Sequence, residues 1–126
     1  MRIHPSEGAL QKAVDACKQM LANKRVLVCS KNRLTLTAVS LAEPILQSLI
    51  GGATTEDEAL QIQLESNLDL LITSEDLERG YGIRLVEKAK QQSSGLKALI
   101  FLSRETPEVV QEAMEAGADG VMFISS

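Results

Sequence analysis

Apolar positions along this chain change period repeatedly, from helical spacing to short uninterrupted runs and back. Over 6–23, Leu10, Ala13, Val14, Cys17, Met20 and Leu21 recur every three or four residues, with Ser6 placed as an N-cap and Glu7 in the first turn. That pattern predicts an amphipathic helix. A short apolar strand is predicted over 25–29, and a second helix from 32 to about 49, bent near Pro44. The glycine-rich stretch 50–54 reads as a weak strand, and 56–65 as a helix with Ala59, Leu60 and Leu64 facing inward. Residues 68–73 form the kind of apolar run that is buried on both faces of a sheet. A turn with Gly80 and Gly82 then leads into a helix over 83–91, a strand over 98–102, a helix over 107–116 and a last strand over 120–124. Pro107 suits a first helical turn and Gly117 a helix C-terminus.

Strands that alternate with helices in this way imply an α/β fold: a doubly wound parallel sheet built from right-handed crossovers, with helices on both faces. Sites in such sheets lie at the carboxyl ends of the strands. Here those ends carry Ser30 and Lys31, Ser74 to Asp76, Ser103 and Arg104, and Ile124 and Ser125.

Composition narrows the function. At 126 residues the chain makes one domain, long enough to bury about two thirds of the surface its unfolded form exposes. A net charge of -4, with Lys and Arg scattered, argues against direct nucleic-acid binding by this segment, which would need a basic face. Cys17 and Cys29 have no metal-like spacing, and no secretory signal precedes them, so a reducing cytoplasm is the expected compartment. The apolar run 98–102 is too short to span a bilayer. Gly80-Tyr81-Gly82 lacks the spacing of a phosphate loop and reads as a turn. Cys29 reads as a small buried hydrophobe, with a redox role as the alternative. His4 is expected to be exposed and idle.

Three stretches carry a resemblance to a known family: Lys24-Arg25-Val26-Leu27-Val28, Gly51-Gly52-Ala53-Thr54-Thr55-Glu56-Asp57-Glu58-Ala59-Leu60, and Ala113-Met114-Glu115-Ala116-Gly117-Ala118-Asp119-Gly120-Val121. Leu68-Asp69-Leu70-Leu71-Ile72, with Gly82 eight residues after Ser74, adds a fourth in register. From about residue 24 to 126 the chain resembles the receiver domain of two-component response regulators, the NarL/FixJ group in particular. The resemblance implies a flavodoxin-like five-stranded parallel sheet, with 1–23 as an extra N-terminal helix and 24–126 as the receiver-like domain.

The family's functional positions mostly fail to carry over. Its paired metal-binding acids fall on Ser30 and Lys31, its phosphoacceptor on Ser74, and a metal-ligating backbone position on Asp76. The proline of the following loop falls on Glu78. The hydroxyl switch residue falls on Ser103 and is kept, although the loop after it is one residue short. The lysine of the last strand falls on Ile124, and the aromatic switch partner on Val121. A serine hydroxyl is a poor ligand for Mg²⁺, and a lysine about 4 Å from the ion at a dielectric near 20 would cost about 8 kcal/mol. Ser74 would also need a base before it could attack a phosphoryl donor. Glu75 or Asp76 could supply one, though side-chain alternation along a strand sends Glu75 to the other face.

The expectation is therefore a pseudo-receiver with no catalytic residue, metal or cofactor. It would act through a protein partner or output domain, in signalling or transcription regulation and without aspartyl phosphorylation. Lys31 would either pair with Asp76 and lock the domain or extend into solvent from the rim. Glu105, Glu108, Glu112 and Glu115 read as the wet face of one helix, with partner docking as the alternative that the resemblance implies. The family's helix after the fifth strand is expected to be absent. The sheet it covers would then be covered by the 6–23 helix, by a homodimer, or by a longer natural chain that continues into a DNA-binding output domain. The rival reading is a ligand-binding or redox-sensing domain that uses Cys29, Ser74 and Asp76.

Overall fold

The computed structural model describes residues 24–31 and 49–123. The helix expected over 6–23 and nearly all of the one expected over 32–49 lie outside these residues, as do His4, Cys17, Pro44, Ile124 and Ser125. Five strands are described: β1 (Val26–Cys29), β2 (Leu49–Ala53), β3 (Leu70–Ser74), β4 (Lys97–Leu102) and β5 (Gly120–Phe123). Three helices join them: α1 (Glu56–Glu65), α2 (Gly82–Gln92) and α3 (Pro107–Glu115). None of the described helices is long and apolar enough to cross a membrane.

All strand pairings are parallel, in the order β2-β1-β3-β4-β5. The chain therefore steps outward from β1 to β2, returns past β1 to β3, and continues to β5. Next to β1 the winding direction reverses, which opens a crevice at the carboxyl ends of β1 and β3. Cys29 is in register with Thr73, and Ser74 with Phe101, so the residues that follow these three strands share one edge of the sheet.

Alternation along β4 shows how the core is assigned: Ala98, Ile100 and Leu102 are buried, whereas Leu99 and Phe101 are half-buried on the opposite face. On the first face, Leu27, Leu71, Ala98, Ile100 and Leu102 meet Ala59 of α1, Leu85, Val86 and Ala89 of α2, and Val109 and Ala113 of α3. Each large side chain fully buried there contributes about 1.5–3 kcal/mol. The second face carries Val26, Val28 and Ile72 with Leu49, Leu70, Leu99 and Phe101, and none of the described helices packs on it.

Local chemistry fixes the helix starts. The Thr55 hydroxyl accepts from the Glu58 N–H at 3.1 Å, and Glu56, Asp57 and Glu58 place negative charge in the first turn of α1. Thr106 does the same for Val109 at 3.3 Å, with Pro107 next in line. The inward face of α1 differs from the expectation. Ala59 is buried and Leu60 partly so, but Leu64 is 68% exposed, and the buried positions beside Ala59 are the polar Glu56 and Gln63. The expected helix end at 49 is also corrected, because Leu49 pairs with Val26 as the first residue of β2.

Candidate functional site

The loop 75–81 after β3 is tied down at both ends by backbone. Glu78 N–H donates to the Thr54 carbonyl at 2.7 Å, Glu56 N–H to that of Arg79 at 3.1 Å, and Gly82 N–H to that of Glu75 at 2.7 Å. Beneath the loop lies the Glu56 carboxylate, which accepts from Tyr81 N–H at 2.8 Å and Arg84 Nε at 3.0 Å and pairs with Lys88 at 3.2 Å. Burial pushes this carboxyl up, but the Tyr81 amide, Arg84 and Lys88 outweigh it and leave Glu56 below the ordinary glutamate range. Two glycines make the arrangement possible. Gly80 has φ +103°, and a Cβ there would run into the Glu56 carboxylate. A Cβ on Gly82 would strike the Ser74 carbonyl, so only glycine lets α2 start this close to the end of β3.

Ser30, Ser74 and Ser103 lie at the carboxyl ends of three adjacent strands, β1, β3 and β4. Ser30 is buried after β1, its N–H donating to the Ala53 carbonyl at 3.0 Å, and Lys31 beside it is exposed. Ser74 ends β3 half-buried, and its hydroxyl donates to the Asp76 carbonyl at 2.8 Å. Among the described residues no ion pair joins Lys31 to Asp76, which leaves Lys31 at the rim. Ser103 follows β4 and is exposed, and Val121 sits half-buried in β5 against the first-face core. Ile124 lies outside the described residues.

Glu75 was weighed in the sequence only as a disfavoured base for Ser74, and its pairing was missed. Alternation along a continuing strand would send it away from the site, but β3 ends at Ser74 and the chain turns. The Glu75 side chain, 5% exposed, instead reaches sideways to β4 and pairs with Arg104 Nε at 2.6 Å. Its carboxylate, first through the hydrogen bond and then through its charge, holds the Arg104 guanidinium above its ordinary pKa. The available signal was an acid and a base following adjacent strands of a parallel sheet. A cleft of about 590 Å³ opens over this pair, lined by Asp76, Tyr81, Arg84, Ser103 and others but not by Ser74. The Arg84 guanidinium lies over the Tyr81 ring at 5.4 Å and forms part of its wall.

The residues present do not fit the Mg²⁺ that the resemblance implies. At the two positions where the resemblance calls for carboxylates stand the Ser30 hydroxyl and the exposed Lys31 ammonium, and the Ser74 hydroxyl donates to the Asp76 carbonyl. Among the described residues no group of three or more His, Cys, Asp or Glu is arranged to hold a metal ion. Cys29 is buried in β1, and burial, with Glu58 adding to it, pushes its thiol up to about 12. The thiolate needed for redox or nucleophilic chemistry is therefore scarce at neutral pH.

No protein-family model and no curated protein matches the chain. Solved structures do. One is RcsB from Salmonella enterica serovar Typhimurium, bound to promoter rprA in the presence of the phosphomimetic BeF3-, at 14% identity and TM-score 0.71. That match covers 82% of this chain and 61% of RcsB, so the chain spans less than two thirds of that protein. A CheY-like response regulator receiver domain protein from Methanospirillum hungatei JF-1 matches at 22% identity and TM-score 0.71, covering 82% of each chain. The signal receiver domain of NarL from Mycobacterium tuberculosis matches at 20% identity and TM-score 0.72, covering 82% of this chain and 85% of that one. A parallel sheet wound in this order, and superposable on these proteins, gives the chain the fold of the response regulator receiver domain.

Proposed function

We propose that this domain is a pseudo-receiver: a signalling and protein-interaction module that regulates an output domain or partner without aspartyl phosphorylation. The observation that carries the reading is Ser74 at the end of β3, a hydroxyl already engaged with the Asp76 carbonyl at 2.8 Å. A carboxylate there would be a ready anion for phosphoryl attack. A serine needs a base to take its proton and a cation to carry the developing charge, and Lys31 next to Ser30 opposes the divalent ion that usually does the latter. Receiver-fold proteins act through what they are joined to or touch, and RcsB is described bound to a promoter. By that likeness, the partner here is an output domain or a second copy of the chain. The redox-sensing alternative is disfavoured by the buried, weakly acidic Cys29 thiol.

Incubation with acetyl phosphate and Mg²⁺, read by intact mass, tests the proposal. The expected result is no phosphoryl adduct on the unmodified chain. Adduct formation in a Lys31→Asp, Ser74→Asp double variant would locate the defect at these two positions. A stable adduct on Ser74 of the unmodified chain would overturn the reading.

A further inference from the structure

Glu75 is buried, yet all of its side-chain donors among the described residues come from one neighbouring segment. Its Oε1 accepts from Ser103 N–H at 3.1 Å, Arg104 N–H at 3.4 Å and the Ser103 hydroxyl at 3.5 Å, and its Oε2 from Arg104 Nε at 2.6 Å. The Glu75 N–H adds a bond to the Phe101 carbonyl at 2.8 Å, so β3 and β4 are cross-tied where they end. Four donors from two successive residues form a small anion-binding concavity, and the anion that fills it belongs to the chain. From there 103–106 runs directly to Thr106, the N-cap of α3, so the course of the loop sets where α3 begins.

We propose that Glu75 is a built-in anion that fixes the β4–α3 loop, so that the domain presents α3 in one arrangement without an added ligand. An external anion at the strand ends would have to displace Glu75 to reach the Ser103 and Arg104 backbone N–H groups. An anion that binds both states of the loop equally shifts nothing. The regulatory meaning of this lock rests on the pseudo-receiver reading, but the lock itself does not.

Amide hydrogen exchange on the full chain, followed by NMR, tests it. Glu75→Ala is expected to speed exchange at the Ser103 and Arg104 amides by about 10-fold or more, the scale of one lost charge-assisted hydrogen bond. The amides of Ile72 and Ile100 are expected to keep their wild-type rates. Added acetate, small enough to enter the vacated position, should slow the two loop amides again. If Glu75→Ala does not fold, Glu75→Leu, which fills a similar volume and accepts no hydrogen bond, gives the same loss of protection at the two loop amides. Wild-type rates at Ser103 and Arg104 in a folded variant would overturn the proposal, and so would uniform acceleration across the sheet that acetate does not reverse. A phosphoryl adduct on Ser74 would sink the pseudo-receiver reading and leave these rates unaffected, so the two failures are separable.

Discussion

Glu56 shapes a loop that belongs to a different strand. Its carboxylate replaces solvent for the Tyr81 amide and gathers Arg84 and Lys88, which are 54% and 48% exposed. The carboxyl lies below its ordinary range when folded, so its contribution is fully present above the unfolded glutamate value of about 4.3 and is lost as pH falls through the lower folded value. Glu56→Gln should therefore destabilise the domain by about 2 kcal/mol at neutral pH, a figure kept modest because both cations face water. Urea unfolding of wild type and variant from neutral to acid pH would check this. The gap should close only in acid, and one that persisted at the lowest pH would mean the charge is not its source. None of this was legible in the sequence, where Glu56 is only the first residue of the helix predicted over 56–65. Glu75 was misread for a related reason: period-2 alternation holds within a strand and says nothing once the chain turns after Ser74.

Secondary-structure elements were more legible, because their signals are local. Pro107, helical periodicity and the apolar runs place α3, α1 and β4 within a residue or so of where they lie. Failures occurred where tertiary pairing decided. The apolar run 68–73 begins before the strand does, because the Asp69 carboxylate accepts from Arg25 N–H at 2.8 Å and ladder pairing starts only at Leu70. On α1, apolar spacing pointed to Leu64, whereas the buried face is centred on Glu56, Ala59 and Gln63. Gln63 earns that place by hydrogen bonding: its Nε2 donates to the Ala89 carbonyl at 2.8 Å, and its Oε1 accepts from Gln92 Nε2 at 2.6 Å, which joins α1 to α2. Gln63→Ala should accordingly cost about 1–2 kcal/mol, while Leu64→Ser should stay within about 0.5 kcal/mol of wild type. Denaturant midpoints at a shared m-value measure both, and the reverse order would mean that the hydrophobic pattern, not the hydrogen-bonded pair, orients this helix.

At the scale of the whole molecule, the parallel sheet was legible because alternating periods admit few right-handed topologies, whereas the strand order comes from the structure. Whether the strand ends can hold a cation depends on net charge around one crevice, and that can be read as folding stability. A ligand that binds only the folded state stabilises it by about 2.7 kcal/mol at 100 times its Kd, which for a domain of this size raises the unfolding midpoint by several degrees. Lys31 is exposed beside the buried Ser30, and the Asp76 carbonyl accepts the Ser74 hydroxyl. The thermal midpoint in about 10 mM MgCl₂ should therefore match that in NaCl of equal ionic strength, where screening acts alone. The Lys31→Asp, Ser74→Asp variant reverses the local sign, placing two carboxylates where a hydroxyl and an ammonium stood. It should lose stability without the ion, because two like charges then face one another, and regain it as Mg²⁺ is added. A magnesium-specific rise in the unmodified chain would mean that oxygen ligands other than these close the site, and the electrostatic basis of the pseudo-receiver reading would fail.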